Sequence, residues 1–313
     1  MQIRKATDED IPQIISLLKV SLGDVVPKSE NYWNWKHQNN PFGKSHVILA
    51  EENNQLIGVR AFMRWKWQDN NTQYSAVRAV DTATHPDFQG KGIFSKLTLS
   101  ALEDIKADVN FVYNTPNEKS MPGYLKMGWI MQGRMPVKVN VNPFACMKKT
   151  LPVSTPDWNA LNFSIFTKNR SQKIQTLYSP EYLKWRYADN PIVDYDYLTD
   201  GNSFLLIFRY KPHRFGMELR ITDLLILPDQ FSTSARKELT KQLKMKTKCV
   251  FLTTVSANQL SLSKKWGLTG GIIPSLNQGP IVTLRNLNLN NDLFQKIVPA
   301  NIWAFSFGDM ELF

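Results

Sequence analysis

The sequence predicts an α/β protein of two tandem domains, each a mixed and mostly antiparallel sheet flanked by helices. Three observations lead to this fold class: the chain length, an internal repeat, and the order of strand and helix patterns in the first copy of the repeat. With 313 residues, the chain is long enough for two domains of about 150 residues each. Because 42% of its residues are hydrophobic, each domain can bury a core.

The internal repeat consists of short matching segments that occur in the same order in both halves of the chain. The matching pairs are 32–41 with 182–191, 78–87 with 220–229, and 126–129 with 265–268. The first pair shares Tyr, Trp, a basic residue, Asn and Pro, and the second shares Arg, Asp and a later Pro-Asp. Three matches in one order indicate a tandem duplication. The predicted domains are residues 1–147 and 160–313, because prolines and lysines between them interrupt the pattern.

The first part of the first copy predicts a strand followed by two helical segments. Residues 3–6 form a short strand, and the acidic run 8–10 opens a helix with Pro12 in its first turn. Apolar residues follow at helical spacing from Ile11 to Leu18. The aromatic segment 32–37 forms the second helical piece.

The second part of the first copy predicts a meander of strands and then a strand between two helices. Three strands are joined by polar hairpin turns, and their predicted ranges are 46–50, 55–67 and 74–84. A helix over 93–106, a buried strand over 109–113 and a helix near 117–126 complete the copy.

Composition excludes several classes of protein. No apolar run reaches the roughly eighteen residues that a membrane span needs, and the N-terminal residues lack the apolar core of a signal peptide, so a cytoplasmic protein is expected. The two cysteines, Cys146 and Cys249, have no Cys or His partners at metal-ligand spacing, so we expect no metal site. A net charge of +11 favours acidic partners such as a phosphorylated cofactor, a nucleotide sugar, an anionic lipid surface or nucleic acid.

A glycine loop between the third meander strand and the next helix is the main candidate for chemistry. It reads Gln89-Gly90-Lys91-Gly92. Glycines at such a junction allow backbone N–H groups to converge, and the helix N-terminus adds a positive dipole end. Lys91 adds a cation beside it. The junction therefore predicts a cradle for a pyrophosphate, and an ordinary glycine turn is the alternative.

The loop and its surroundings resemble the GNAT superfamily of acetyl-CoA-dependent N-acetyltransferases over roughly residues 1–135. The resemblance rests on Ile3–Thr7 with Asp10, on Thr84–Phe88, and on Gln89–Ile93. The family's loop pattern is Gln/Arg-x-x-Gly-x-Gly/Ala. Gln89 and Gly92 match it, and Phe94 departs from it at the last position.

The resemblance implies a binding site for acetyl-CoA as co-substrate. In the family the pantetheine arm lies along the end of the third meander strand, the pyrophosphate meets the loop, and an Asn faces the cofactor. The positions implied to bind it here are Thr82, Ala83, Thr84, Gln89, Gly90, Lys91, Gly92, Ile93, Phe94 and Asn117. The 3′-phosphate would meet lysines such as Lys91 or Lys126.

Tyr124 and Asp81 are the expected catalytic residues. In the family a Tyr seven residues after the Asn often protonates the departing thiolate, and Tyr124 stands at that spacing from Asn117. A phenol is a suitable acid for a thiolate whose conjugate acid is of similar strength. Asp81 is the candidate base, since burial would raise its pKa. Asp223 stands at the matching place in the second copy, so a structural role for Asp81, pairing with a neighbour such as Arg78, is the alternative.

The second copy lacks the features that bind the cofactor. Residues 230–236 contain no glycine, and Ser261–Ser263 stand where the first copy has its tyrosine. We therefore expect residues 160–313 to form a degenerate domain that binds no CoA.

The leading function is acetyl transfer from acetyl-CoA to a primary amine, such as an amino sugar or another small amine, by direct attack in a ternary complex. One alternative is a Fem-like transferase that uses aminoacyl-tRNA, which the positive charge would suit. Against it, those proteins generally dispense with the acyl-CoA loop, and no RNA-binding motif stands out, so no nucleic-acid partner is expected. The other alternative is a non-catalytic acyl-CoA-binding or scaffold protein. The sequence indicates neither the acceptor nor the oligomeric state.

Overall fold

The computed structural model describes residues 1–142, 145, 155–168, 171–257 and 279–310. Its strands are β1 (Gln2–Lys5), β2 (His46–Glu52), β3 (Gln55–Gln68), β4 (Gln73–Thr84), β5 (Phe111–Asn114), β6 (Ile130–Arg134), β7 (Val137–Val141), β8 (Gln175–Thr176), β9 (Asp196–Thr199), β10 (Phe204–His213), β11 (Gly216–Ile226), β12 (Leu252–Ser256) and β13 (Ile281–Asn286). Its α-helices are α1 (Ile11–Leu22), α2 (Glu30–Trp33), α3 (Ile93–Ile105), α4 (Met121–Lys126), α5 (Phe163–Phe166), α6 (Pro180–Leu183), α7 (Thr233–Thr247) and α8 (Asn291–Ile297).

The first compact unit contains residues 1–133 together with 189–192 and 281–299. Its sheet has the strand order β1-β2-β3-β4-β5-β13-β6. β1 to β4 form an antiparallel meander, β4 pairs with β5 in parallel, and β5 pairs with β13 antiparallel. The mixed, mostly antiparallel sheet predicted from the sequence is present.

Helices cover both faces of this sheet. The buried side of α3, from Ile93 to Ile105, packs against the face that carries Phe62 and Val77. The apolar side of α1 packs against the other face, together with Val59 and Ala83. Because neighbouring residues of a strand point to opposite faces, β3 supplies side chains to both cores.

A β-bulge interrupts the pairing of β3 with β4. Val59 pairs with Ala83 and Ala61 pairs with Val80, so Arg60 faces both Asp81 and Thr82. Asp81 has a φ of +40°, which is uncommon for a residue other than glycine. The extra residue bends β4 where it leaves the centre of the sheet.

The second compact unit contains residues 134–188, 193–280 and 300–313. Its sheet has the order β7-β12-β11-β10-β9, in which β11 and β12 pair in parallel and the other neighbours antiparallel. α7 contributes Ala235, Leu239 and Leu243 to the core of this unit. The register of β10 with β11 shifts between Ile207 and Phe208, next to Asp223.

Both repeated aromatic segments form the same local structure. In the first unit α2 continues as a π-helix over Asn34–Gln38, and in the second α6 continues as a π-helix over Lys184–Ala188. A serine caps each segment: Ser29 accepts from the amide of Tyr32, and Ser179 accepts from the amide of Tyr182.

Two strands depart from the predicted division at residues 147 and 160. β7 precedes the second predicted domain in sequence, yet it pairs with β12 in the second sheet. β13 belongs to the second half of the chain, yet it pairs with β5 in the first sheet. Cys146, Ser261–Ser263 and the repeat segment 265–268 lie outside the described residues. Within the described residues, no helix has the length and apolar character that crossing a membrane requires.

Candidate functional site

A cavity of about 710 Å³ opens in the first unit between the end of β4, the start of α3 and the start of α4. Its lining contains nearly all of the residues expected at the cofactor site: Thr82, Ala83, Thr84, Gln89, Gly90, Gly92, Ile93, Phe94 and Asn117. Both expected catalytic residues, Asp81 and Tyr124, line it as well. Lys91 is exposed beside it and places its ammonium group 4.5 Å from the centre of the Phe88 ring.

The cavity begins where β4 and β5 separate. Their parallel pairing covers only three residue pairs and ends with Arg78 opposite Tyr113. β4 then continues to Thr84 and remains paired with β3 on its other side. The edge of β4 beyond Arg78 therefore faces the cavity without a β5 partner, which suits an extended ligand that binds in the manner of a strand.

The glycine turn forms a second wall. Gly90 and Gly92 have φ values of +77° and +75°, and a Cβ atom at either position would have no atom within 4 Å. Gly92 is the N-cap residue of α3 and carries no side chain to occupy the first amides. The first turn of α3 therefore keeps N–H groups for an anion, and the helix dipole adds to the attraction.

Tyr124 forms a third wall and is 5% exposed. Its phenol oxygen accepts a hydrogen bond of 2.8 Å from Nη1 of Arg60, whose side chain projects from β3 and is fully buried. The Tyr124 ring meets the ring of Phe94 edge to face at 5.3 Å. Phe94 also lies against Gly123, where a Cβ atom would be 3.1 Å from its Cε1. The departure of Phe94 from the family pattern is thus matched by a glycine in α4.

Asn117 holds the turn that leads into α4. Its carboxamide oxygen accepts from the amide of Ser120 at 2.9 Å, and its carbonyl accepts from the amide of Met121 at 2.9 Å. The predicted helix therefore starts later than expected, at Met121. Asn117 remains in the lining of the cavity, seven residues before Tyr124.

Asp81 makes contacts that the sequence did not reveal. Its Oδ2 atom lies 2.7 Å from Nζ of Lys36 and 2.9 Å from Nε2 of His37, and Nδ1 of His37 lies 2.8 Å from the Ser45 hydroxyl. Burial acts to raise the pKa of Asp81, but the charge of Lys36 and the hydrogen bond from His37 outweigh it. The pKa lies well below the ordinary aspartate range. The expected upward shift is therefore wrong.

Three residues of this site were missed from the sequence. Lys36 and His37, to which no role was assigned, form an ion pair and a hydrogen bond with Asp81, and Arg60 contacts Tyr124. Arg60 carried a signal, because it is a charge in the apolar strand 56–63. Arg78, considered as a partner of Asp81, donates instead to the hydroxyl of Thr115 at 2.9 Å. Among the described residues, no group of three or more His, Cys, Asp or Glu side chains could hold a metal ion.

The matching helix of the second unit has no comparable cradle. Ser232 caps α7, and its hydroxyl accepts a hydrogen bond from the amide of Ala235. A side chain therefore occupies the place that is open at Gly92 of α3. That the second unit binds no CoA remains a prediction.

Comparisons with known proteins identify the family of this unit. A family model described as an acetyltransferase (GNAT) domain matches residues 2–131. This match confirms the resemblance based on the glycine loop and its flanking strand. No curated protein sequence matches the chain.

Solved structures share the fold at low sequence identity. A GCN5-related N-acetyltransferase from Anabaena variabilis has 17% identity and a TM-score of 0.66, and the match covers 92% of this chain and 73% of that chain. A probable N-acyltransferase from Enterococcus faecalis has 13% identity and a TM-score of 0.66, with 91% and 72% covered. Saccharomyces cerevisiae N-myristoyltransferase with bound myristoyl-CoA has 11% identity and a TM-score of 0.52, with 100% and 85% covered. These likenesses confirm the predicted fold class.

Proposed function

We propose that the chain transfers an acetyl group from acetyl-CoA to a primary amine, on the premise of the acetyltransferase (GNAT) domain that residues 2–131 match. One observation carries the proposal. A single cavity joins the open edge of β4, the glycine turn before α3 and the phenol of Tyr124. These three features suit the arm, the diphosphate and the sulfur of an acyl-CoA in that order.

The residues present fit acetyl-CoA as the co-substrate. The amides of the first turn of α3, with Gly90 and Gly92, would hold the diphosphate because no side chain fills that space. Lys91 would add a positive charge at the exposed side of the same turn. The peptide groups of Thr82, Ala83 and Thr84 would bind the pantetheine amides along the unpaired edge of β4.

Tyr124 would protonate the sulfur that leaves the acyl group. Its phenol oxygen is buried and accepts from Arg60, so the phenol keeps its own hydrogen for another acceptor. Aromatic rings on two sides, Phe94 at 5.3 Å and Trp129 at 5.0 Å, fix the orientation of the phenol. A general acid held in this way shortens the life of the thiolate.

Of the two roles considered for Asp81, its contacts favour the structural one. Its charge is matched by Lys36, its pKa is lowered, and a carboxylate of low pKa is a weak base for an amine proton. Asp81 would instead fix the bulge of β4 against the π-helix that carries Lys36 and His37. The amine proton would then leave through water.

Calorimetric titration of acetyl-CoA tests the proposal. We expect one site per chain in the wild type and loss of binding in Gly92→Glu, since the carboxylate would stand at the cradle and repel a diphosphate. Gly201→Glu is the matched control: Gly201 has a φ of +82°, has no atom within 4 Å of a built Cβ, and lies in the second unit. The control carries the same backbone strain and should bind normally.

Turnover on a panel of amines follows the binding test, with Tyr124→Phe as the comparison that should turn over far more slowly. Small aliphatic amines and amino sugars are the first acceptors to assay. Binding of acetyl-CoA without turnover on any amine would favour the alternative of a non-catalytic acyl-CoA-binding protein. Absence of binding in the wild type would overturn the proposal and direct attention to transfer from aminoacyl-tRNA.

A further inference from the structure

Arg60 is a buried cation without an anionic partner in the described part of the chain. Its side chain is 0% exposed, and its Nε and Nη2 atoms are buried with no hydrogen-bond partner. The guanidinium carbon lies 4.5 Å from the centre of the Phe62 ring, 5.4 Å from that of Tyr124 and 5.7 Å from that of Phe94. An unpaired charge in an apolar core is costly, so its retention needs a reason.

In the described part of the chain, both hydrogen bonds of Arg60 go to residues that line the cavity. Nη1 donates to the hydroxyl of Thr82 on the bulged strand and to the phenol oxygen of Tyr124 on α4. The Thr82 hydroxyl in turn donates to the carbonyl of Val80 at 3.2 Å. The guanidinium group of Arg60 therefore links β4 to α4, which form two walls of the cavity.

The arginine also determines where the phenol hydrogen of Tyr124 goes. A guanidinium has donors and no acceptor, so the phenol oxygen accepts from Arg60 and its hydrogen must point elsewhere. Among the described residues, no acceptor for that hydrogen is present, and the phenol borders the cavity. We infer that Arg60 is a positioning residue for acyl transfer, which directs the Tyr124 proton into the cavity and stabilises the phenolate that remains. The inference rests on the proposed function of Tyr124.

In the inferred step the amine nitrogen forms a bond to the carbonyl carbon of the thioester, and the bond from that carbon to sulfur breaks. The sulfur keeps the bonding electron pair and takes the phenol proton of Tyr124, which yields the free thiol. The phenolate then carries one negative charge beside the positive charge of Arg60. It regains a proton through water from the nitrogen that has become an amide.

A purely structural role for Arg60 predicts that replacing it leaves the rate of acyl transfer unchanged. Methionine is long, flexible and apolar, and it fills space between aromatic rings well. If Arg60 only filled the core, Arg60→Met would keep or improve stability and leave the chemistry unchanged, because replacing an unpaired buried charge with an apolar group is often favourable. Under our inference, Arg60→Met should instead keep its stability and lose catalytic rate.

Four variants test the inference: Arg60→Met, Arg60→Lys, Thr82→Val and Tyr124→Phe. Their acetyl-CoA binding, kcat and kcat/KM are measured under the same conditions. We expect Arg60→Met to bind acetyl-CoA within about threefold of the wild type and to lose about ten- to a hundredfold in kcat, part of what a general acid contributes. Because Arg60 acts through the phenol, adding Arg60→Met to Tyr124→Phe should cost little further rate.

The other variants assign the effect to the charge. Arg60→Lys keeps a cation, so its kcat should lie well above that of Arg60→Met. Thr82→Val removes the second acceptor of Arg60 and leaves the contact with Tyr124, so its kcat should fall less than that of Arg60→Met.

An unchanged kcat in Arg60→Met, or losses of rate in Arg60→Met and Tyr124→Phe that simply add in the double variant, would overturn the inference and leave Arg60 a core residue. A wild type that neither binds acetyl-CoA nor acylates an amine would overturn the proposed function as well. A wild type that is active while the two losses add would overturn the inference alone.

Discussion

Nε2 of His37 lies 2.9 Å from Oδ2 of Asp81, and the second unit has a counterpart of this pair. There the hydroxyl of Tyr187 donates to Asp223. His37 and Tyr187 occupy the same place in the repeated aromatic segments, and Asp81 and Asp223 occupy the same place in the repeated strands. A register shift adjoins the carboxylate in both sheets. A link between π-helix and bulged strand thus occurs with and without the glycine cradle, which favours a role in folding.

Asp81→Asn should therefore destabilise the first unit. Asparagine tolerates positive φ, so the substitution removes the charge without new backbone strain. Lys36 and His37 would lose their contacts with this carboxylate, and breaking a mostly buried ion pair from one side costs about 3 kcal/mol. The free energy of unfolding in urea at pH 7 measures the loss.

Asp87→Asn is the control for this substitution, because Asp87 lies in the next turn with its side chain 82% exposed. It should change the free energy of unfolding by less than about 0.5 kcal/mol. An Asp81→Asn protein as stable as Asp87→Asn, but inactive with acetyl-CoA, would restore Asp81 as the candidate base.

The glycine loop and the meander could be predicted because local chemistry specifies them. Gly90 and Gly92 adopt positive φ at a strand-to-helix junction, which glycine does at little cost. The alternating strands ending at Thr84 and the helix starting at Ile93 follow from short-range patterns. The expected positions of the cofactor site consequently fall around one cavity.

The placement of β7 in the second sheet and of β13 in the first sheet could not be predicted, because the sequence of a short strand does not specify which sheet it joins. Ile281–Asn286 presents alternating side chains that either sheet could accept, and its pairing with β5 is decided by long-range packing. The contacts of Arg60 and Asp81 depend on the same tertiary proximity. Sequence shows that a charge stands in an apolar strand, and only the fold shows its partner.

Gly58→Ala should displace the start of α3, which packs against β3. Gly58 lies in β3, and an added Cβ would come within 2.9 Å of both Ile93 and Leu97 and 3.3 Å of Ala50. Overpacking of this kind costs about 1 to 3 kcal/mol. Because Ile93 directly follows Gly92, the shifted helix should also weaken acetyl-CoA binding, and calorimetry on the purified variant measures this effect.

Leu97→Ala provides the test of that mechanism. If the added methyl group of Gly58→Ala clashes with the side chain of Leu97, shortening Leu97 should relieve the clash. The double variant should then be more stable than the sum of the two single losses predicts. Strict additivity of the free energies of unfolding would show that the methyl is accommodated elsewhere.

Asp309 should make the second unit less stable as the pH rises. Burial and the nearby charge of Asp223 raise the pKa of Asp309 above its ordinary value. Between the ordinary and the raised pKa the folded state holds a proton that the unfolded state has released. The contribution of this group to the free energy of unfolding therefore falls by about 1.4 kcal/mol per pH unit in that range.

Asp309→Asn removes the titrating group, so the stability of the variant relative to the wild type should rise with pH. Urea unfolding at pH 4.5, 6 and 7.5 gives the difference between the two proteins, in which the groups that do not interact with Asp309 cancel. Parallel curves for wild type and variant would show that Asp309 ionises as readily in the fold as in the unfolded chain.

Asp10, near the N-terminus, should make the first unit less stable as the pH falls, whereas Asp309 does so in the second unit as the pH rises. Arg4 donates to both of its carboxylate oxygens at 2.7 Å, and the amide of Thr7 donates at 2.7 Å. The hydrogen bonds from Arg4, aided by those from Thr7, lower the pKa of Asp10 to about 2 against the opposing effect of burial. Since the folded pKa is below the unfolded one, the pair contributes about 2 kcal/mol above pH 4, and this is lost as the pH falls toward 2.

Asp10→Asn should accordingly lower the free energy of unfolding by about 2 kcal/mol at pH 7 and by much less near pH 2. Glu9→Gln is the matched control, because Glu9 is an exposed acid in the same helical turn and loses the same charge near the helix N-terminus. Measuring both variants in urea at pH 7, 4 and 2.5 separates the ion pair from the helix dipole. A gap between Asp10→Asn and wild type that persists unchanged at pH 2.5 would mean that the side chain stabilises the fold through packing, because below its unfolded pKa the contribution of the ion pair to the free energy of unfolding should already have fallen.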